Sequence, residues 1–296
     1  MIRMSEGNES FSADARWDLH CHTQFSDGTH TPTELVRQAK ESGLQGVAIT
    51  DHDTYAGWDE VAQASRRYRF PVIRGSEITA YDRRTSVHML AYLYDPNNET
   101  VIDMFATTRQ ARLKRTRSMV ESMAQDYPIS WEAVLAQVGE GDRTTVGRPH
   151  IADALVHAGV YGNRSQAFAG ICSSDSPYYI PTPSPSTHEV IRCVHAAGGV
   201  VVIAHAGAVA RNPELLSDEQ IETLISEGLD GLEIWHRDNS SEQRERLSQI
   251  AVKHGLIMTG GSDWHGKGKP NRLGENAASG IVASEIVNRG CIPLLP

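Results

Sequence analysis

Residues 31–52, TPTELVRQAKESGLQGVAITDH, contain one whole unit of the fold. Thr31-Pro32-Thr33-Glu34 has the spacing of a capping box with proline at the first helical position, so a helix opens there. Leu35, Val36 and Ala39 recur at helical spacing, and Gly43 stops the run. Gly46-Val47-Ala48-Ile49-Thr50 then reads as a buried strand with Asp51-His52 at its far end. A helix feeding a buried strand that ends on polar side chains is the repeat of parallel α/β architecture, in which strand C-termini carry the chemistry.

The placement recurs in six more apolar runs: Trp17-Asp18-Leu19-His20-Cys21-His22, Val72 to Glu77, Val87-His88-Met89-Leu90-Ala91, Val200 to His205, Gly231 to His236, and Ile257 to His265. Nearly every run has a metal-competent side chain at one end. Ser186 to Glu189 and Ser217 to Gln220 cap helices before the fifth and sixth runs, and a helix from Glu242 to His254 ends at Gly255 before the seventh. His88 differs by lying at the start of its run. A hairpin of Gly75–Tyr81 and Val87–Tyr94, turning at Asp82-Arg83-Arg84-Thr85, would bring it beside Glu77, so one antiparallel strand is expected inside the sheet.

Between about residues 97 and 175 the alternation stops and only helical patterns remain, a long one from Val101 to Ala124 and another near Trp131 to Val138. The expected organisation is a disordered leader over 1–14, a barrel built from 15–97 and 176–296, and a helical insertion over 98–175 that caps the substrate. Pro177 to Pro185 reads as the extended return to the barrel.

The 296 residues, 40% hydrophobic, can bury a full core. No apolar stretch approaches a membrane span and the first dozen residues are polar, so a cytoplasmic protein with no membrane partner is expected. Cys21, Cys172, Cys193 and Cys291 are widely spaced and read as reduced thiols. The net charge of -9 argues against a protein that holds long nucleic acid by bulk electrostatics. Small phosphorylated ligands stay compatible, because bound cations reverse the field locally.

His20 and His22, two apart on a strand, share a face and can grip one ion. Asp27, His52, Glu77, His88, His205, Asp263 and His265 sit in or just after apolar runs, where unpaired charge is costly without a cation. The mixed imidazole and carboxylate donors suit Mn, Fe or Zn. Arg148 and His150 flank Pro149 at a helix start, an anion-favouring place, and Arg148 is the candidate phosphate clamp. Lys267 and Lys269 follow a donor directly and are candidates for a second phosphate or a ribose. Arg109, Arg112, Lys114, Arg115 and Arg117 read as a solvated helix face. His236 either protonates a leaving oxygen or packs against the donors. Asp51 and Asp53 are expected to orient His52. Tyr178 and Tyr179 pack in the core or stack on a base.

Asp18 to His22, Ser26-Asp27-Gly28, Ile49 to Asp53, Gly75 to Thr79, His88, Gly147-Arg148-Pro149-His150-Ile151-Ala152, Ala204-His205 and Gly260 to Gly266 form an ordered set. In it the chain resembles the PHP (polymerase and histidinol phosphatase) superfamily, in particular its nucleotide-phosphoesterase branch. The resemblance implies a distorted (β/α)7 barrel with a trinuclear metal centre, manganese being the expected metal. It implies a first ion held by His20, His22, Glu77 and Asp263, a second by a bridging Glu77 with His88 and His205, and a third by Asp27, His52 and His265. The family often has His where this chain has Asp27, and Pro where it has Ala206 after His205; the latter departure touches loop shape rather than ligation.

The implied activity is metal-dependent hydrolysis of a small phosphorylated substrate by attack of a metal-bridging hydroxide on phosphorus. A nucleotide is the implied substrate: a 3′,5′-bisphosphate, a mononucleotide or an oligonucleotide end. Histidinol phosphate and a cyclic sugar phosphate are the alternatives among enzymes, and a non-catalytic metal-binding regulatory module is the alternative from another class.

Overall fold

The computed structural model describes residues 9–139, 141–211 and 214–296. The chain runs β1 (Arg16–Cys21), α1 (Pro32–Glu41), β2 (Gly46–Ile49), α2 (Trp58–Tyr68), β3 (Val72–Asp82), β4 (Thr85–Tyr92), α3 (Glu99–Met123), α4 (Trp131–Leu135), α5 (Arg148–His157), α6 (Arg164–Ala169) and α7 (Thr187–Ala196). It continues with β5 (Val200–Ile203), α8 (Asp218–Ser226), β6 (Gly231–Trp235), α9 (Ser241–His254), β7 (Ile257–Gly260), β8 (Ala278–Ser279) and α10 (Gly280–Arg289). Thr31, Ser186 and Ser217 each close the capping box that their spacing announces, and Gly255 ends α9 at φ 65°.

The strands form one sheet in the order β7-β6-β5-β4-β3-β2-β1-β8. β4 runs antiparallel to both β3 and β5, as the position of His88 requires, while β1–β2, β2–β3, β5–β6 and β6–β7 pair in parallel. Asp82 pairs with Thr85 across a two-residue turn in which Arg83 takes φ 54°, and the register sets Thr79 opposite His88. Glu77 is two residues before Thr79, on the same face and diagonal to His88.

The ring of strands closes between β1 and the segment after β7, where His22 N–H donates to the Trp264 carbonyl at 2.9 Å and Cys21 pairs with Trp264. The short β8, which the sequence reading did not include, lies antiparallel to the start of β1.

β1 departs from strict alternation. Its register with β2 shifts between Asp18 and Cys21. Leu19 accordingly packs with Ala48, Ile73, Leu90 and Val202, whereas Cys21 packs with Leu35, Val36 and Val61 under the helices. Such a bulge re-aims the residues that follow it, and His20 Nε2 and His22 Nε2 end 3.1 Å apart.

Two boundaries differ from the expectation. Of the leader over 1–14, residues 1–8 lie outside the described residues, but Glu9–Phe11 form a 3-10 turn, Phe11 stacks on Trp17 at 5.4 Å, and the Trp17 indole donates to the Ser10 carbonyl. The end of that segment is therefore ordered by packing the half-buried Phe11 against the buried Trp17. The start of the insertion also belongs with the barrel: Val101, Met104 and Phe105 of α3 pack with Trp58, Tyr94, Val190 and Val194. Met119, Val120 and Met123, later on the same helix, build a separate cluster with Val134, Ile151, Leu155 and Cys172.

Candidate metal centre

His20, His22, Asp27, His52, Glu77, His88, His205, Asp263 and His265 all converge at the C-terminal ends of the parallel strands and the facing end of the β3–β4 pair. Three groups have donor atoms within 4.8 Å of one another: His22, Asp27, His52 and His265; His20, His22, Glu77 and Asp263; and His52, Glu77 and His88. Glu77 Oε2 lies 3.2 Å from His20 Nε2 and 3.0 Å from His22 Nε2, and Oε1 lies 2.9 Å from His88 Nδ1 and 3.0 Å from His205 Nε2. The turn carrying Asp27 is tight: a Cβ at Gly28 would come within 2.5 Å of the His22 carbonyl oxygen. His205 and Asp263 adopt φ 33° and 51°, left-handed values that are uncommon for such residues and recur where function dictates the backbone.

The donor set fits cations on its own geometry. His265 Nε2 is 3.0 Å from Asp27 Oδ1, yet neither atom is hydrogen-bonded; the same holds for Asp263 Oδ1, 3.2 Å from His22 Nε2, and for His52 Nδ1, 3.3 Å from Glu77 Oε2. Close donors that do not aim at each other converge on a third point, as ligands of one ion do. His20 Nε2 and His22 Nε2, 3.1 Å apart, are likewise two imidazole nitrogens facing one space.

Charge within the site follows the same division. Burial opposes ionisation of Glu77, but His52, His20 and His88 hold its carboxyl well below the usual range. Against the same opposition, His265 and His52 do this for Asp27, and Lys269, Arg211 and His265 for Asp263. Burial pushes His52 and His205 well down, and His265 to about 4. Burial also works against charge on His20 and His22, yet Glu233, Glu77 and Asp263 hold His20 well up, and the nearby carboxylates of Asp263 and Glu77 raise His22 to about 9. Ionised carboxylates with neutral imidazoles are the protonation states that bind metal; uptake at His20 and His22 would release protons.

Several second contacts support the donors. The buried Glu233 meets His20 Nδ1 at 3.0 Å and accepts the His205 N–H at 2.7 Å. Asp18 accepts from the Ser262 N–H and hydroxyl and from Gly274 N–H, fastening β1 to the Asp263 loop. Arg211 bonds Asp263 Oδ2 at 2.6 Å and Asp238 at 2.6 Å. None of these was singled out as a site residue from sequence, although an acidic Glu233 inside a buried apolar run was a legible signal. Asp51 and Asp53 do not bond the His52 ring, contrary to expectation. Asp51 takes Thr23 N–H, Thr23 Oγ1 and Ser26 Oγ, shaping the Asp27 turn, and Asp53 takes Thr79 and Arg112.

His236 is fully buried; its Nδ1 accepts the Asp238 N–H at 3.1 Å and its Nε2, without a hydrogen bond, lies 3.8 Å from Asp263 Oδ2. Lys269 reaches Asp263 Oδ2 at 2.9 Å, whereas Lys267 is exposed. His150 caps its own helix by accepting Gly147 N–H; burial lowers its pKa, partly opposed by the charge of Asp27. Arg148 opens α5 as expected but stands apart from the nine donors, donating to the Cys172 carbonyl at 3.0 Å with Phe168 and Tyr179 rings at 5.5 and 5.1 Å. The solvated-face reading of α3 fails for two residues. Arg112 pairs with Asp53 at 2.6 Å, and the buried Arg115 donates to the Ile180 carbonyl and lies over the Tyr179 ring at 5.3 Å. These guanidinium groups reach inward because the polar groups they need are there.

The PHP domain family matches residues 18–142. A crystal structure from Bifidobacterium adolescentis, described as a candidate metal-dependent phosphoesterase, is 63% identical and superposes with a TM-score of 0.93 over 94% of this chain and 97% of that one. Among curated proteins, a phosphoribosyl 1,2-cyclic phosphate 1,2-diphosphodiesterase of Eggerthella lenta is 28% identical over 260 residues, covering 84% of this chain and 94% of its own. A 3′,5′-nucleoside bisphosphate phosphatase of Chromobacterium violaceum is 28% identical over 259 residues, covering 87% and 90%. No helix among the described residues is long and apolar enough to cross a membrane. A barrel with one reversed strand, donors converging where its strands end, and relatives matched over most of the chain agree: this chain belongs to the PHP superfamily of metal-dependent phosphoesterases.

Proposed function

We propose that the chain hydrolyses phosphoesters of small nucleotides, with a 3′,5′-bisphosphate or an oligonucleotide end as the leading substrates. One observation carries the reading: buried carboxylates and imidazoles lie about hydrogen-bond distance apart while several of the facing atoms stay unbonded. His20, His22, Glu77 and Asp263 would hold one ion, Glu77 with His88 and His205 a second, and Asp27, His52 and His265 a third, with manganese the expected occupant. When bound, the cations offset the phosphoryl negative charge and acidify the attacking water.

The protein's own groups do the rest. Arg211 and Lys269, both on Asp263 Oδ2, stand beside the donors as partners for phosphoryl oxygens. His236 is our choice of general acid, because its buried Nε2 has no hydrogen bond and lies on the donor side, 3.8 Å from Asp263 Oδ2. Arg148, with Arg115 across the Tyr179 ring, has no carboxylate partner among the described residues and is the candidate for a phosphate away from the ions, with His150 and Lys267 as lesser contacts. The part of residues 98–175 that follows Phe105 acts as a cap over this mouth, in a cytoplasmic protein.

A cyclic sugar phosphate is the second reading, favoured by the likeness to the Eggerthella lenta protein. The test is a screen of metal-reconstituted protein against nucleoside 3′,5′-bisphosphates, 5′-mononucleotides, cyclic phosphates, short oligonucleotides and histidinol phosphate, with products separated by chromatography. Turnover of bisphosphates or oligonucleotide ends above the others is expected. Silence toward all, with the ions bound, would favour a non-catalytic metal-binding module.

A further inference from the structure

His20 and His205 each meet two carboxylates, and only the inner one, Glu77, belongs to the proposed ligand set. From the inside, Glu77 Oε2 is 3.2 Å from His20 Nε2 and Oε1 is 3.0 Å from His205 Nε2. From behind, Glu233 on β6 repeats the division: Oε1 is 3.0 Å from His20 Nδ1, and Oε2 accepts the His205 main-chain N–H at 2.7 Å. We infer that Glu233 is a positioning residue that couples two metal positions, fixing the His20 ring with one oxygen and the His205 backbone with the other. It acts so only if the donors hold cations as proposed above.

Each bond has a distinct consequence. A carboxylate oxygen at Nδ1 acts as acceptor, so with a cation bound His20 would carry its ring proton on Nδ1 and present a lone pair at Nε2, facing Glu77 and Asp263. His205 is held by its backbone instead. At φ 33° it is in the left-handed region, which costs free energy for a residue with a β-carbon, and the bond to Glu233 anchors that conformation. Asn239 braces the same junction: its Oδ1 accepts Gly207 N–H, and its Nδ2 donates to the carbonyls of Glu233 and Ile234, each at 3.0 Å. Gly261 leaves Glu233 little room to swing, since even a Cβ there would lie 3.0 Å from Oε1 and 2.4 Å from the His20 Cβ. One rigid carboxylate thus orients a ligand of the first ion and a ligand of the second, and neither site can relax alone.

Glutamine tests this closely, because it keeps the shape but has one acceptor. Whichever way the amide turns, either His20 Nδ1 or the His205 N–H meets an NH2 group. Chelator-stripped wild type and Glu233→Gln would be titrated with Mn(II) against a fluorescent competitor chelator, with bound equivalents counted by atomic absorption and the fold of each metal-free protein checked by circular dichroism. Two equivalents are expected to weaken together, by about 10- to 100-fold, while the one at Asp27, His52 and His265 keeps its affinity. Wild-type loading of all equivalents by Glu233→Gln would overturn the inference; so would loss of one equivalent alone, or of all three from a folded protein. Should Glu233→Gln not fold, Glu233→Asp, too short to reach both partners, carries the same expectation and the same refutations. A wild type that binds no metal would overturn the metal centre itself, a separate failure visible before any variant is made.

Discussion

Glu77 is the residue on which the centre turns, since its two oxygens face four histidines between 2.9 and 3.2 Å. Glu77→Ala is expected to abolish phosphoester hydrolysis and to remove at least one metal equivalent; unchanged metal content and turnover in the variant would contradict the proposed bridge. Arg148 lies away from the donors, so Arg148→Ala should raise KM about tenfold or more with a smaller loss in kcat, measured by steady-state kinetics. The convergence of the nine candidate donors was legible because each stands in or just after an apolar run, where unpaired charge is costly. Arg211 was not, because a loop has no period and an arginine in it is ordinary until its contact with Asp263 is seen. The partners of Asp51 and Asp53 were misread for a similar reason: adjacency to His52 in the chain suggested contact, but their carboxylates turn toward Thr23 and Thr79.

Among the elements, legibility tracked the presence of a local signal. Helices α1, α7 and α8 announce themselves by capping boxes, whereas α2 follows Gly57 with no side-chain cap and is closed by Arg69 in the left-handed conformation, so it lacks that local mark and went unread. The β3–β4 hairpin was readable because its turn is short and its register must serve His88. One helix end is also a pH-sensitive tie. His195, near the end of α7, meets Asp230 before β6 at 2.9 Å, and this bond raises its pKa above 6.5 against partial burial. A raised folded-state value means that the contribution is complete below 6.5 and fades as pH climbs through the raised value. His195→Gln should therefore cost stability at pH 5.5 and almost none at pH 9, by less than about 1 kcal/mol because the pair is partly solvated. Thermal denaturation of both proteins at the two pH values checks this; an equal cost at both would contradict it.

Across the whole molecule, the barrel and its reversed strand were legible from the strand–helix alternation, but the division from the insertion was drawn too early, because α3 is one continuous helix that serves two cores in turn. Periodicity along a helix does not record where its neighbours change. The barrel is shut by main-chain bonds between β1 and the Trp264 segment, beside donors from both sides of the seam. Cations there should act as fasteners, so a chelator is expected to lower the melting temperature; each ion at a hundred times its Kd contributes about 2.7 kcal/mol. An unchanged melting temperature after complete metal removal would contradict that. The seam also imposes an order on assembly in the cell. His20 is made early and Asp263 some 243 residues later, so while the ribosome is still working the first-made histidines wait without their partner carboxylate. Metal capture by the completed pocket must then follow translation of nearly the whole stretch between them, and an early-bound ion would have to be held by an incomplete set.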